Sequence, residues 1–273
     1  MTTSATPRAR RRPPRLSTLL GVPAAIAVAF LLLPLAGLLY RAPWGGLWPL
    51  LTDPSVREAL RLSLFSSLLA TAVSVVFGVP LAWVLARLRF PGRRVLRALV
   101  LLPLVLPPVV GGVGLLYALG NSGLLGHALN AVGVSLPFTT AGVVVAETFV
   151  AMPFLVVTVE GALAAADQRY DEAAATLGAS GWTTFRRITL PLIAPSVAAG
   201  AVLTFARALG EFGATITFAG NTPGQTRTMP LAVYIALESN PPAAVALSLV
   251  LLVVSVGILL ALRERWLRGG TIR

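Results

Sequence analysis

Six stretches of about 20 residues with at most two charges each, at 19–40, 62–86, 98–119, 140–163, 192–218 and 243–262, decide most of what this chain can become. A hydrocarbon layer about 30 Å thick is crossed by roughly 20 helical residues. Inside it every backbone N–H and C=O must find its partner within the protein, so an isolated apolar run of this length folds as a helix. The pattern predicts an all-α fold: a polytopic membrane protein with six transmembrane helices over 19–262, flanked by tails at 1–18 and 263–273. Pro34, Pro80, Pro107 and Pro153 lie inside the runs and are compatible with membrane helices, where neighbours re-satisfy the freed carbonyls. The fifth run is interrupted by Arg207, Gly210, Glu211 and Gly213.

Composition agrees with a bilayer and excludes several chemistries. Only 12% of the 273 residues are charged, against about a quarter in an average soluble domain. With no cysteine and a single histidine, His127, disulfides, thiolate nucleophiles and a multi-histidine metal site are excluded within one chain. The net charge is +12, but the arginines lie in short clusters between apolar runs, which argues against a nucleic-acid surface. Lysine is absent, so the Gly-Lys-Ser/Thr ending of a phosphate-binding P-loop is missing. Any ATP used must be bound by another subunit.

The arginine clusters also orient the chain. Five arginines precede the first run (Arg8, Arg10, Arg11, Arg12, Arg15) and five lie between the second and third (Arg87, Arg89, Arg93, Arg94, Arg97). Three follow the fourth run (Arg169, Arg186, Arg187) and four follow the sixth (Arg263, Arg265, Arg268, Arg273). The alternate loops hold four: Arg41, Arg57, Arg61 and Arg227. The excess of positive charge marks the cytoplasmic side, which predicts both termini and the 164–191 loop in the cytoplasm. The first run is longer than the apolar segment of a signal peptide and is expected to be retained as a span.

The 164–191 loop contains a polar island, Asp171 followed by "EAAATLGASGWTTFRRITLP". Asp171 and Glu172 suit the first turn of a helix, where its dipole favours negative charge. Gly178 suits a helix end, and Ser180 a cap for a second short helix running to about residue 189. Pro191 is expected where the next membrane helix begins. On composition alone, a plain interfacial linker also fits. The spacing of Glu172, Ala173, Ala174, Gly178, Ile188, Leu190 and Pro191, however, resembles the EAA loop of bacterial ABC importer permeases, which have a six-span (MetI-like) bundle. Two further stretches, "LPLVLPPVVGGVGLLYALGNSGLLG" at 102–126 and "LGEFGATITFAGNTPGQTRTMPLAVY" at 209–234, resemble the molybdate type of these permeases. Sulfate permeases share the Ala-Leu-Gly-Glu-Phe-Gly and Gly-Asn-x-Pro elements and are less similar after Pro223. The resemblance covers the chain from about residue 55 onward.

That resemblance implies a homodimeric permease in the bacterial cytoplasmic (inner) membrane. It further implies two ATP-binding subunits that carry ATP and magnesium, and an extracytoplasmic substrate-binding protein. This chain itself would have no cofactor and no enzymatic activity. Asp171, Glu172, Ala173, Ala174, Gly178, Ile188, Leu190 and Pro191 would dock on the ATPase as a coupling helix. The cargo would be molybdate or tungstate, with sulfate or thiosulfate as the alternative. A stand-alone channel or an integral-membrane enzyme fits less well, since no nucleophile–base pair or metal cluster is present and a docking loop would be idle.

Charges inside the runs are costly and normally face protein or water. Arg207 and Glu211 are four apart and able to pair on one helix face, as a structural bridge or as part of a gate loosened by Gly210 and Gly213. Arg227, on the outer side, is either an anion-attracting group or an ordinary loop residue. Glu147 and Glu160 also fall in a run, and His127 is expected on an outer loop.

Overall fold

The computed structural model describes residues 18–167 and 169–269. Within these, the chain is helical with no strand. The basic tail expected at 1–18 lies outside the described residues apart from Thr18, and the C-terminal tail is described only as far as Gly269. Helix α1 (Thr18–Arg41) is a unit of its own, and everything from Pro43 onward forms a second unit.

The second unit begins with the short α2 (Leu47–Thr52) and the 34-residue α3 (Pro54–Arg87). Asp53 starts α3 by accepting the Ser55 N–H at 2.8 Å, and Pro54 at the first helical position needs no partner for its missing N–H. Helix α4 (Arg93–Val105) and α5 (Pro108–Leu119) follow, then the small α6 (Gly126–Ala131) and α7 (Thr140–Ala165). The 164–191 loop folds as an elbow of two short helices, α8 (Arg169–Thr176) and α9 (Gly181–Thr184). Helix α10 (Leu190–Leu209), α11 (Gly213–Phe218), α12 (Met229–Ser239) and α13 (Pro241–Gly269) complete the unit. Among the described residues, five helices are long and apolar enough to cross a membrane, or six if the bent α4–α5 pair is one span.

The core is the packing of α3, α7 and α10. Along α3 the buried residues recur as Ala59, Ser63, Ser67, Ala70, Ser74, Gly78 and Ala82, a nearly unbroken stripe of small side chains. Where solvent is lipid, close backbone approach replaces the hydrophobic effect as the drive for helix association, and such stripes permit it. The hydroxyls are accommodated because Ser67 and Ser74 donate to the carbonyls of Ser63 and Ala70, four residues back in their own helix. Leu155 of α7 wedges between two glycines: a Cβ on Gly200 would lie 2.9 Å from Leu155 Cδ1, and one on Gly78 would lie 3.1 Å from Leu155 Cδ2.

Two of the six expected spans are broken. The third run folds as two helices bent by 119°. Leu106 and Pro107 are both extended (ψ 131° and 129°), because a residue before proline is driven out of the helical region and Leu106-Pro107-Pro108 contains two such residues in succession. Pro107 therefore sits at the break and not inside a helix, while Pro80 and Pro153 remain inside α3 and α7. The fifth run stops at Leu209 and resumes as α11 after Gly210-Glu211-Phe212. The apolar helix α12 lies in a stretch that hydropathy leaves as loop.

Candidate functional site

Helix α8 carries Asp171 and Glu172 in its first turn and ends in a left-handed turn at Gly178, φ +77°. The Gly178 N–H donates to Ala175 O and the Ala179 N–H to Ala174 O, both at 3.0 Å. This doubly bonded glycine ending satisfies the last carbonyls of the helix and turns the chain sharply. Ser180 Oγ then accepts the Thr183 N–H at 3.2 Å and caps α9, as its position in the sequence implies. The second arm differs from the sequence expectation. It is not a separate short helix ending near residue 189: α9 runs through a π-helical stretch, Phe185–Thr189, directly into α10, whose first turn does hold Pro191, so residues Gly181–Leu209 form one 29-residue helical run. The Leu190 N–H reaches back five residues to Phe185 O, a widening of the kind that absorbs an irregular position in an otherwise continuous helix.

The eight elbow residues face in different directions. Glu172, Ala173, Gly178 and Pro191 are exposed, Ala174 is buried, and Ile188 and Leu190 are half-buried. Asp171 is turned inward. Its carboxylate meets the Arg87 guanidinium at 3.3 Å and accepts from Thr189 Oγ1 at 3.2 Å, tying α8 to the end of α3 and to the helical run that follows. Phe185 adds an apolar anchor, stacked on Trp182 at 5.9 Å and edge-on to Trp83 at 6.5 Å. Tyr170, Leu177 and Trp182 of the elbow are exposed as Glu172 is, at 57%, 87% and 69%. The elbow is thus held from beneath and bare on top. Arg87, Thr189, Trp83 and Phe185 are absent from the sequence-derived site; Trp182 and Phe185, the two aromatic residues within the otherwise small and polar island, were the available signal for an anchor.

A second arrangement lies at the other end of the same helical run. Arg207 Nη2 and Glu211 Oε2 pair at 2.6 Å, with Glu211 fully buried. Glu211 Oε1 accepts the Ala214 N–H at 2.8 Å, so one carboxylate joins the last turn of α10 to the first turn of α11. The flanking glycines have unequal roles. Gly210 has an ordinary negative φ and only Ala206 O within 4 Å of an added Cβ, at 3.7 Å. A Cβ on Gly213 would meet Pro108 and Val109 of α5 at 3.0–3.2 Å. A Cβ on Gly112 of α5 would come closer still, 2.8 Å from Ala214 O and from Thr217 Cβ. Gly213 therefore serves the contact between α5 and α11.

Glu147 of α7 is buried and accepts from Ser66 Oγ of α3 at 2.8 Å. Glu160 is bound to Arg97 of α4. Arg227 donates from Nε to Asn221 Oδ1 at 2.9 Å and borders a cavity of about 220 Å³ with Asp53, Ser55 and Asn240. It is not brought together with Arg207 and Glu211 by any hydrogen bond or ion pair among the described residues. His127 is exposed on α6. No group of three or more potential metal ligands occurs among the described residues.

Residues 74–269 match the family described as the binding-protein-dependent transport system inner membrane component. The chain is 50% identical over 244 residues to the molybdenum transport system permease protein ModB of Mycobacterium tuberculosis, covering 89% of this chain and 92% of that protein. It is 37% identical over 265 residues to the sulfate transport system permease protein CysT of Escherichia coli (strain K12), covering 96% of each. Its fold is similar to that of a chain in a bacterial ABC transporter involved in the import of the acidic polysaccharide alginate. That match has TM-score 0.74 and 21% identity, over 93% of this chain and 95% of that one.

Proposed function

This chain belongs to the family of binding-protein-dependent transport system inner membrane components, as the permease of an ABC importer, and from that premise we propose that it carries molybdate or tungstate inward by alternating access driven by ATP on separate subunits. The observation that carries the coupling half of this reading is the elbow. Tyr170, Glu172, Ala173, Leu177 and Trp182 are exposed there, α8 is backed by an ion pair to α3, and beyond the Gly178 turn α9 continues without interruption into α10. Docking of an ATPase on the elbow would move α3 and the Gly181–Leu209 run together, and the run ends at the Glu211 break. A ligand shifts a conformational equilibrium only through its differential affinity for the two states; here the ATPases, closing on ATP, would supply that difference through the elbow.

The remaining parts of the reading follow from it. Two copies of this chain form the pathway, with two ATPase subunits on the elbow side. A binding protein delivers the anion to the opposite side. Elbow and termini face the cytoplasm, consistent with seventeen arginines on that side against four on the other. Molybdate is favoured over sulfate by the higher identity to the molybdenum permease. The sulfate reading retains the support of a relative aligned over 96% of the chain.

The test is ATP-driven molybdate uptake into vesicles that contain the chain with its companion ATPase and binding protein. Gly178→Trp and Glu172→Ala are expected to abolish uptake while the chain remains folded; normal uptake by both would remove the docking role of the elbow. Excess sulfate should leave molybdate uptake unchanged, and equal competition would favour the sulfate reading.

A further inference from the structure

We propose that the turn between α3 and α4 is a binding site for the phosphate of an acidic phospholipid, held by Arg89, Arg93 and Arg94. A cavity of about 540 Å³ opens at this turn, and four arginines line it: these three and Arg97. Each end of the turn is already neutralised within the protein, Arg87 by Asp171 and Arg97 by Glu160. The three arginines between them meet no carboxylate within 4 Å among the described residues. Among the described residues the Nε atoms of Arg87, Arg93 and Arg97 are buried without any hydrogen-bond acceptor, and of these three arginines Arg93 alone has no carboxylate partner. A guanidinium N–H withdrawn from water and left unpaired is unfavourable, and a tetrahedral oxyanion matches the planar fork that guanidinium groups present.

The surroundings select a lipid as the source of that oxyanion. Val95, Leu99 and Leu102, at 62%, 59% and 48% exposure, recur along α4 immediately beyond the arginines. A ligand that fills both regions has an anionic head and apolar chains. Basic pockets at the cytoplasmic ends of membrane helices attract anionic headgroups on these electrostatic grounds. The site adjoins both ion pairs that tie α3 to the elbow and α4 to α7, so an occupied site would brace the end of the bundle that carries the elbow. The inference does not depend on which anion is transported.

The experiment uses the full chain in nanodiscs of phosphatidylcholine containing a minority of phosphatidylglycerol, with retained lipid counted by native mass spectrometry. The unmodified chain should retain phosphatidylglycerol in preference to phosphatidylcholine. Arg93→Gln/Arg94→Gln should weaken retention about fivefold per arginine lost, while Arg57→Gln/Arg61→Gln near the opposite end of α3 should leave it unchanged. Arg93→Lys/Arg94→Lys, which keeps the charge and loses the planar fork, should weaken retention less than the glutamine pair does; a loss as large as with glutamine would overturn the electrostatic part of the proposal. Absence of preference in the unmodified chain, or equal loss in the distant control pair, overturns the proposal. So does displacement of the lipid by excess inorganic phosphate, which would make the ligand a free oxyanion from water.

Discussion

Substituting alanine for Glu211 removes two contacts at once: the ion pair with Arg207 at 2.6 Å and the bond from the Ala214 N–H at 2.8 Å. Stripping one partner from a buried ion pair costs about 3–5 kcal/mol, chiefly because the remaining charge stays buried and uncompensated. Arg207 is 27% exposed, so it keeps some access to water and the lower end, about 3 kcal/mol, applies. The orphaned Ala214 N–H adds about 1 kcal/mol, for a total near 4 kcal/mol. Glu211→Gln keeps an oxygen for that N–H and loses only the charge, so it should cost about 2 kcal/mol. Removing both partners, Arg207→Ala/Glu211→Ala, eliminates the stranded guanidinium and should recover about 2 kcal/mol relative to Glu211→Ala alone. The assay is equilibrium unfolding of the full chain in mixed micelles with increasing dodecyl sulfate, followed by circular dichroism. Additivity of the two single substitutions within about 0.5 kcal/mol would refute the view that this carboxylate joins α10 to α11 through a coupled pair.

Steric and local effects can be separated in the same unfolding assay. Gly112→Val should destabilise by about 1–3 kcal/mol through overpacking, because its Cβ would lie 2.8 Å from Ala214 O and Thr217 Cβ, whereas Gly210→Ala, with no atom nearer than 3.7 Å, should be nearly neutral. Gly178→Ala meets no neighbour within 4 Å but keeps φ at +77°; the cost should be about 1 kcal/mol from backbone conformation alone. At the start of α3, the Ser55 side chain and backbone N–H hold the Asp53 carboxyl below its ordinary range. A depressed carboxyl stabilises the folded state above its unfolded value and loses that effect as pH falls through the folded one. Amide protection in the first turn of α3, taken relative to the intrinsic exchange rate at each pH, should therefore fall only in acid, below the usual carboxylate range, and Asp53→Asn should remove that fall.

Four of the six expected spans, at 19–40, 62–86, 140–163 and 243–262, were legible in the chain as single helices because hydropathy is a local quantity. Residues 140–163 were expected as a span and Thr140–Ala165 is a helix; the run at 62–86 lies within Pro54–Arg87. The elbow was also legible, since a glycine ending and a serine cap depend on neighbours within a few positions. The bend at Leu106-Pro107-Pro108 was open to the same reasoning, because consecutive prolines restrict the residues before them, yet length and hydropathy concealed it. The inward turn of Asp171 had no such signal. Its partner, Arg87, is one arginine among many in the sequence.

Transfer of apolar side chains and the demand that every peptide group be paired act within about 20 contiguous residues, so the chain's order of residues suffices to establish a helical, multi-span, permease-like protein. Which charges meet is another matter. Arg87 with Asp171, Glu147 with Ser66 and the contact of Gly112 with Ala214 join residues about 80 to 100 positions apart. Those pairings exist because small side chains let α3 approach α7, and α5 approach α11, closely, while the elbow folds back to the end of α3, and that proximity arises when the helices assemble.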